Sequence, residues 1–225
     1  MSSIVIKGNT SGQVEIAAPD VAGSTTLTLP TGTGTVITDT APKTGNVLQV
    51  VSVTDKAQSS YNMLSINNGY TNYGLNENGF DLTTLDISIT PSSSSSKILL
   101  MTNIFFWAAP AAYGVFRLKR GIGGVTPAYS SSDAWMSGTN SVAGNLSQMG
   151  STGISTNGDT SWYGRTLNFN WLDSPNTTSA VVYRFNFRME EDNGNPFWLN
   201  RAGYNTNDYG ANTGVSSIIA MEVAG

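Results

Sequence analysis

Apolar and polar residues alternate with period two along much of the chain after Asn46. Leu167, Phe169 and Trp171 alternate with Asn168 and Asn170, while Tyr183, Phe185, Phe187 and Met189 alternate with Arg184, Asn186 and Arg188. Successive side chains of a strand point to opposite faces. The second run therefore puts four large apolar groups on one face and both arginines on the other, the pattern of a half-buried antiparallel strand. Further strands are predicted over residues 85–89, 97–107, 113–119, 197–200 and 217–223. Two runs are apolar on both faces. One is the strand over 46–53, through Val47, Leu48, Val50 and Val51; the other is Ile98, Leu99, Leu100 and Met101. The latter reads as a central strand covered on both sides, or as one covered by a neighbouring subunit.

Residues 1–40 have a different texture. Short apolar pieces at 4–6, 14–16, 26–29 and 35–37 are separated by the turn formers Gly8, Asn9, Gly12, Pro19, Asp20, Gly23, Pro30 and Gly32. Each piece is too short, and the segment too poor in large side chains, to close a core of its own. The chain thus divides into an N-terminal arm over 1–40 and a larger domain over 41–225. The arm is expected to wind together with copies of itself or to lie along another protein, as an attachment or shaft element.

Turn chemistry punctuates the larger domain. Asn193-Gly194, at the end of an acidic run from Glu190, signals a tight hairpin between two strands, and Pro91 with the five serines 92–96 forms a low-complexity connection. Residues 120–160 are rich in Gly, Ser and Thr and read as loop or irregular edge strand. No helical periodicity with caps occurs anywhere. The fold class is all-β: a short β arm followed by an antiparallel β-sandwich, jelly-roll-like knob.

Composition sharpens this picture. At 225 residues and 39% apolar content the chain can bury a core, yet charged residues make up only 12%, about half the roughly 25% usual in soluble domains. Ser, Thr and Asn cover the surface instead, which suits an exposed β surface partly covered by subunit partners. The net charge of −4 argues against a nucleic-acid partner, which calls for clustered cations. The basic cluster Arg117, Lys119 and Arg120 is interleaved with Phe116 and Leu118 and reads as the solvent face of a strand ending at a turn. The N-terminus carries no signal-peptide pattern and no apolar run is long enough to span a bilayer, so a soluble product without membrane insertion is expected.

Absences bound the chemistry. Without histidine the commonest general base and imidazole metal ligand are missing, and without cysteine disulfides and thiolate chemistry are excluded. Carboxylate-only catalysis would draw on Asp81 with Asp86, or on Glu190, Glu191 and Asp192, beside a turn where solvated acids are ordinary. No catalytic residue, cofactor or metal is assigned, and the chain is expected not to be an enzyme. The loops with Asn67 and Asn68, with Asn76, Glu77 and Asn78, and from Asn205 to Asp208 are oxygen-rich but lack EF-hand spacing, so turns stabilised by Asn side chains are the favoured reading. Arg120-Gly121-Ile122-Gly123-Gly124 leads to Thr126-Pro127 and not to a helix, so it is no phosphate loop. Two similar loops, Gly69 to Gly74 and Gly203 to Gly210, pair tyrosines with asparagines; Tyr70, Tyr73, Tyr204 and Tyr209 could stack on sugar rings. Trp135, Trp162 and Trp198 are weaker candidates for such contacts.

The opening residues 4–12, with Ala18-Pro19, Val21-Ala22-Gly23 and Thr25 to Pro30, resemble the N-terminal segment of bacteriophage virion proteins, especially those of phages infecting marine and freshwater bacteria such as cyanobacteria. The phrases at 88–92 and 97–99, at 116–121, at 172–175 and at 221–225 resemble the knob of the same proteins. The resemblance implies a homotrimer on the virion surface, with a thin N-terminal attachment to the major capsid protein or a tail protein and a compact β-sandwich knob. Two placements stay open: a capsid decoration or head-fibre protein, favoured because only about 40 residues precede the knob, and a short tail fibre or receptor-binding protein contacting host surface glycans.

Overall fold

The computed structural model describes residues 3–17, 23, 42–62, 80–108, 113–127, 142–143, 146–155, 163–189, 196–203 and 213–225. The chain forms two compact units, Met1–Ile37 and Thr38–Gly225. In the first, β1 (Ser3–Lys7) and β2 (Gln13–Ala17) make an antiparallel hairpin.

The second unit is all-β, with one 3-10 turn at Thr83–Leu85 as the only helical element among the described residues. Its first sheet runs in the order β3 (Val47–Asp55), β14 (Ser216–Val223), β7 (Lys97–Trp107), with β11 (Arg165–Asp173) on the other flank of β7. The second sheet places β5 (Phe80–Asp81) and β6 (Ile87–Ile89) beside β12 (Val181–Met189). Then follow β8 (Tyr113–Ile122), β10 (Leu146–Ser155) and the short β9 (Val142–Ala143). All pairings are antiparallel, and sheet membership changes between β4 and β5, β6 and β7, β7 and β8, β10 and β11, β11 and β12, and β12 and β13. With β5 and β6 counted as one, the facing orders β3-β14-β7-β11 and β6-β12-β8-β10 are those of a jelly roll.

Period-two patterning explains which face each strand buries. Along β7, Ile98, Leu100, Ile104 and Phe106 turn inward and are buried; along β12, Tyr183, Phe185 and Phe187 do the same. Phe80, Phe106, Phe116, Phe187 and Phe197 form a continuous aromatic centre, with ring centroids 4.3 Å apart for Phe187 and Phe197 and 4.7 Å for Phe116 and Phe187. Such tilted pairs add to the burial of area alone.

The first sheet has a joint. β4 (Ser59–Asn62) continues the line of β3, and β13 (Pro196–Leu199) that of β14; β13 pairs with both β4 and β7. Where both lines break, Asn200 adopts a positive φ of 61°, a conformation that Asn tolerates better than most residues. Its side-chain amide donates to the carbonyls of Asp55 and Ala57 and its Oδ1 accepts from Ser216 Oγ, while its backbone bonds Phe105 and Gly214. An Arg201–Thr213 bridge then closes the excursion between β13 and β14.

Three expectations are corrected, and the open reading of 120–160 is narrowed to its strand alternative. Arg117 and Lys119 do not line a solvent face: they are 0% and 6% exposed. Arg120 points between the sheets. Period two reports which side of a strand a residue occupies, and this strand is covered on both. The Asn193-Gly194 signal does not make a hairpin, because β12 and β13 belong to opposite sheets; a turn dipeptide marks a chain reversal without choosing the sheet the chain enters next. Within 120–160, β10 is a ten-residue strand paired along β8 with a bulge between Gln148 and Gly150. Finally, the strand placed at 85–89 starts only at Ile87, after the 3-10 turn.

Candidate functional site

In the N-terminal hairpin, Gly8 N–H donates to Gly12 O at 3.0 Å and Gly12 takes a φ of 77°, so the reversal uses the residue for which that conformation is cheapest. The register sets Ile4 opposite Ile16 and Val5 opposite Glu15. Ile4 is 66%, Ile6 58% and Ile16 49% exposed, and alternation puts these three on one side of the ribbon. A two-stranded hairpin is marginal in water, and in this one Ile4, Val5, Ile6 and Ile16 are all exposed. Ile4 and Ile16, opposite each other in register, and Ile6 beside them form an exposed apolar strip on that side of the ribbon.

Polar chemistry in the second unit is consumed by ion pairs. Arg120 donates to both carboxylate oxygens of Asp173 at 2.6 and 2.8 Å, and Tyr183 Oη donates to the same carboxylate at 2.7 Å. The triad stitches β8 and β12 to β11 across the sandwich. Burial first, and then the adjacent Asp173 charge, push the Tyr183 phenol far above its ordinary range. On the opposite side of the second sheet, Arg184 bonds Asp86 through Nε at 2.8 Å and Asp81 through Nη1 at 3.0 Å, and Asn186 donates to Asp81 at 2.9 Å. The hydrogen bond to Asp86 is the leading cause that raises the Arg184 guanidinium above its already high value. Asp81 and Asp86, the acid pair considered from sequence, are thus brought together around a cation. The oxygens of both carboxylates are taken up by Arg184 and Asn186 in that arrangement.

Glu222, buried at the end of β14, accepts from Ser92 N and Oγ at 2.6 Å and from Gln49 Nε2 at 2.7 Å. Burial works to raise its pKa, but the bonds from Ser92 and Gln49 outweigh it and hold the carboxyl below its ordinary value. The serine-rich connection after Pro91 is therefore latched to the sheet.

The residues nominated for glycan or partner contact, Tyr70, Tyr73, Trp135, Trp162, Tyr204 and Tyr209, lie outside the described residues, as do Glu190, Glu191, Asp192 and the Asn-rich loops. The weaker candidate Trp198 is half-buried, and the Arg201 guanidinium stacks 3.9 Å from its ring centroid. Among the described residues no cluster of three acidic, His or Cys side chains could hold a metal ion, and no helix is long and apolar enough to cross a membrane. The signal for Arg120–Asp173–Tyr183 was present in the sequence only as three polar groups in phase with the apolar faces of their strands, after Phe116 and Leu118, after Phe169 and Trp171, and before Phe185 and Phe187.

No protein-family model matches the chain, and neither does any curated protein. Solved structures of infectious bursal disease virus are similar in part. The VP2 subviral particle is 12% identical, with 97% of this chain and 40% of that one covered and a TM-score of 0.41. The Gx strain structure is 12% identical over 97% of this chain and 45% of that one, with a TM-score of 0.36. This chain spans less than half the length of these proteins, and a likeness at that level assigns it to no family.

Proposed function

We propose that this protein is a non-catalytic structural component of a bacteriophage virion surface. In this reading it is a trimeric capsid decoration or head-fibre protein that attaches through residues 1–40 and displays the jelly-roll knob. The observation that carries the reading is the hairpin Ser3–Ala17: Ile4 and Ile16, paired across it, and Ile6 lie exposed on one side of a two-stranded ribbon, an element that is marginal on its own. Such an element gains its stability from what it docks on, by strand pairing and by burial of those side chains. Its sequence resembles the attachment segment of phage virion proteins, and the phrases over 88–92, 116–121 and 221–225 resemble their knobs. The non-catalytic part is supported by the missing histidines and by the capture of Asp81 and Asp86 on Arg184.

Deleting residues 1–40 tests the division of labour. The truncated chain is expected to fold, with the far-ultraviolet spectrum of a β protein, and to lose the capacity to join virions; the labelled full-length protein is expected on the capsid shell in electron micrographs. Normal incorporation of the truncated chain would show that the arm is not the anchor. Label confined to tail appendages would replace decoration by a receptor-binding role.

A further inference from the structure

The outer face of the first sheet is apolar where a solvated sheet would be charged. Register aligns one residue from each of its four strands: Val50 faces Met221, Met221 faces Leu99, and Leu99 faces Leu172. In the adjacent row Ile219 faces Met101, flanked by Ser52 and Asn170. Their chain neighbours Leu100 and Ala220 are buried in the core, so these residues point away from it. Val50 is 56%, Leu172 53% and Met101 40% exposed. The row beyond is Thr54, Ser217, Asn103 and Asn168, so none of the three rows contains a charge.

We propose that this face is where copies of the chain meet around a threefold axis; the proposal rests on the trimeric reading above and names the surface that makes it. Three features favour copies of the same chain over a foreign partner. With Lys97 at its border as the nearest charge along β7, this face offers little with which to select an unlike partner by electrostatic complementarity. Interfaces between identical subunits are the more apolar class, and an apolar centre beside an uncharged polar row is their usual anatomy. Size fits as well. Four strands ~4.8 Å apart make a face ~19 Å wide, and three rows ~6.8 Å apart extend it ~20 Å along the strands. The flat footprint is then ~400 Å², enough for the centre of an interface whose full extent is ~800 Å² per partner. Three faces ~19 Å wide, set as the sides of a triangular prism, each stand ~5.5 Å from its axis, about half the ~10 Å spacing at which sheets pack face to face. Side chains from three copies would therefore fill the axis without a channel.

The test uses the full chain. Its native mass is expected to be that of three copies, and Leu172→Lys and Met101→Lys, at positions exposed enough to accept lysine in the fold, should weaken assembly on the order of 30-fold or more. Thr178→Lys, on an exposed turn, should leave the mass unchanged, and far-ultraviolet dichroism should show all variants folded. Because the chain has no cysteine, Met221→Cys provides a readout independent of the arm: a short bismaleimide should cross-link it between chains and should not cross-link Thr178→Cys. Three-copy mass in both lysine variants, with no cross-link at Met221→Cys, would overturn the proposal while leaving the trimer standing. A two-copy mass would overturn the threefold arrangement, and a monomeric wild type would remove the trimeric reading together with this one.

Discussion

The hairpin and the knob are made of the same kinds of residue, yet they stand in opposite relations to water. Ile4, Ile6 and Ile16 lie on a two-stranded ribbon with nothing over them, whereas Ile98, Ile104 and Ile218 are at most 1% exposed between two sheets. β-branched side chains favour a strand in both places; what differs is a second layer. Local propensity accordingly makes the strand, and the fold's own second layer makes it stable. Where that layer is missing, the same side chains stay in contact with water.

The comparison is broken most forcefully at the aromatic centre. Phe187 contacts Phe80, Phe106, Phe116 and Phe197, so Phe187→Ala should cost the knob about 3–5 kcal/mol, read from the denaturant midpoint at unchanged slope. A loss below about 1 kcal/mol would mean that the layers are not packed as described.

A smaller effect comes from Glu222. Its folded pKa lies below the ordinary 4.5, so the stabilisation it gives is fully present above that value and is lost as pH falls through the lower folded value. Glu222→Gln should cost about 1.5–3 kcal/mol at neutral pH, and the gap between variant and wild type should close on acidification below about 4.5. A gap that persisted unchanged at pH 3 would show that the carboxylate charge is not what holds Ser92.

The smallest effect is expected in the arm. Ile6→Ala should change the unfolding midpoint of the knob by less than about 0.5 kcal/mol while weakening incorporation into particles. A large shift in the midpoint would mean that the hairpin is part of the knob's cooperative unit.

How much of this was legible beforehand follows from what each pattern encodes. β11 and β12 announced themselves because large apolar residues alternate with polar ones, and β7 through its apolar run over 98–101, of which Ile98 and Leu100 are buried and Met101 is exposed. β10 stayed hidden because glycine, serine and threonine carry no amphipathic contrast. Arg117 and Lys119 misled because cations default to water, and nothing local in a sequence announces a cover that comes from elsewhere in the fold. Arg120, Asp173 and Tyr183 are 53 and 10 residues apart in the chain, by the separations of their bonds, so only the pairing of the sheets brings them together. The hairpin's unsatisfied face, by contrast, could be read from its shortness and its isoleucines.

Asn200 gathers three strands of the first sheet onto one residue. The chain leaves the sheet at this residue and returns at Gly214, and both lips of the opening are fastened: Gly214 N–H to Asn200 O, Asn200 N–H to Phe105 O, Ser216 Oγ to Asn200 Oδ1. The joint therefore works as a clasp: one side chain and its own backbone hold the end of β3, the body of β7 and the start of β14, so a change at Asn200 is felt in all three strands at once.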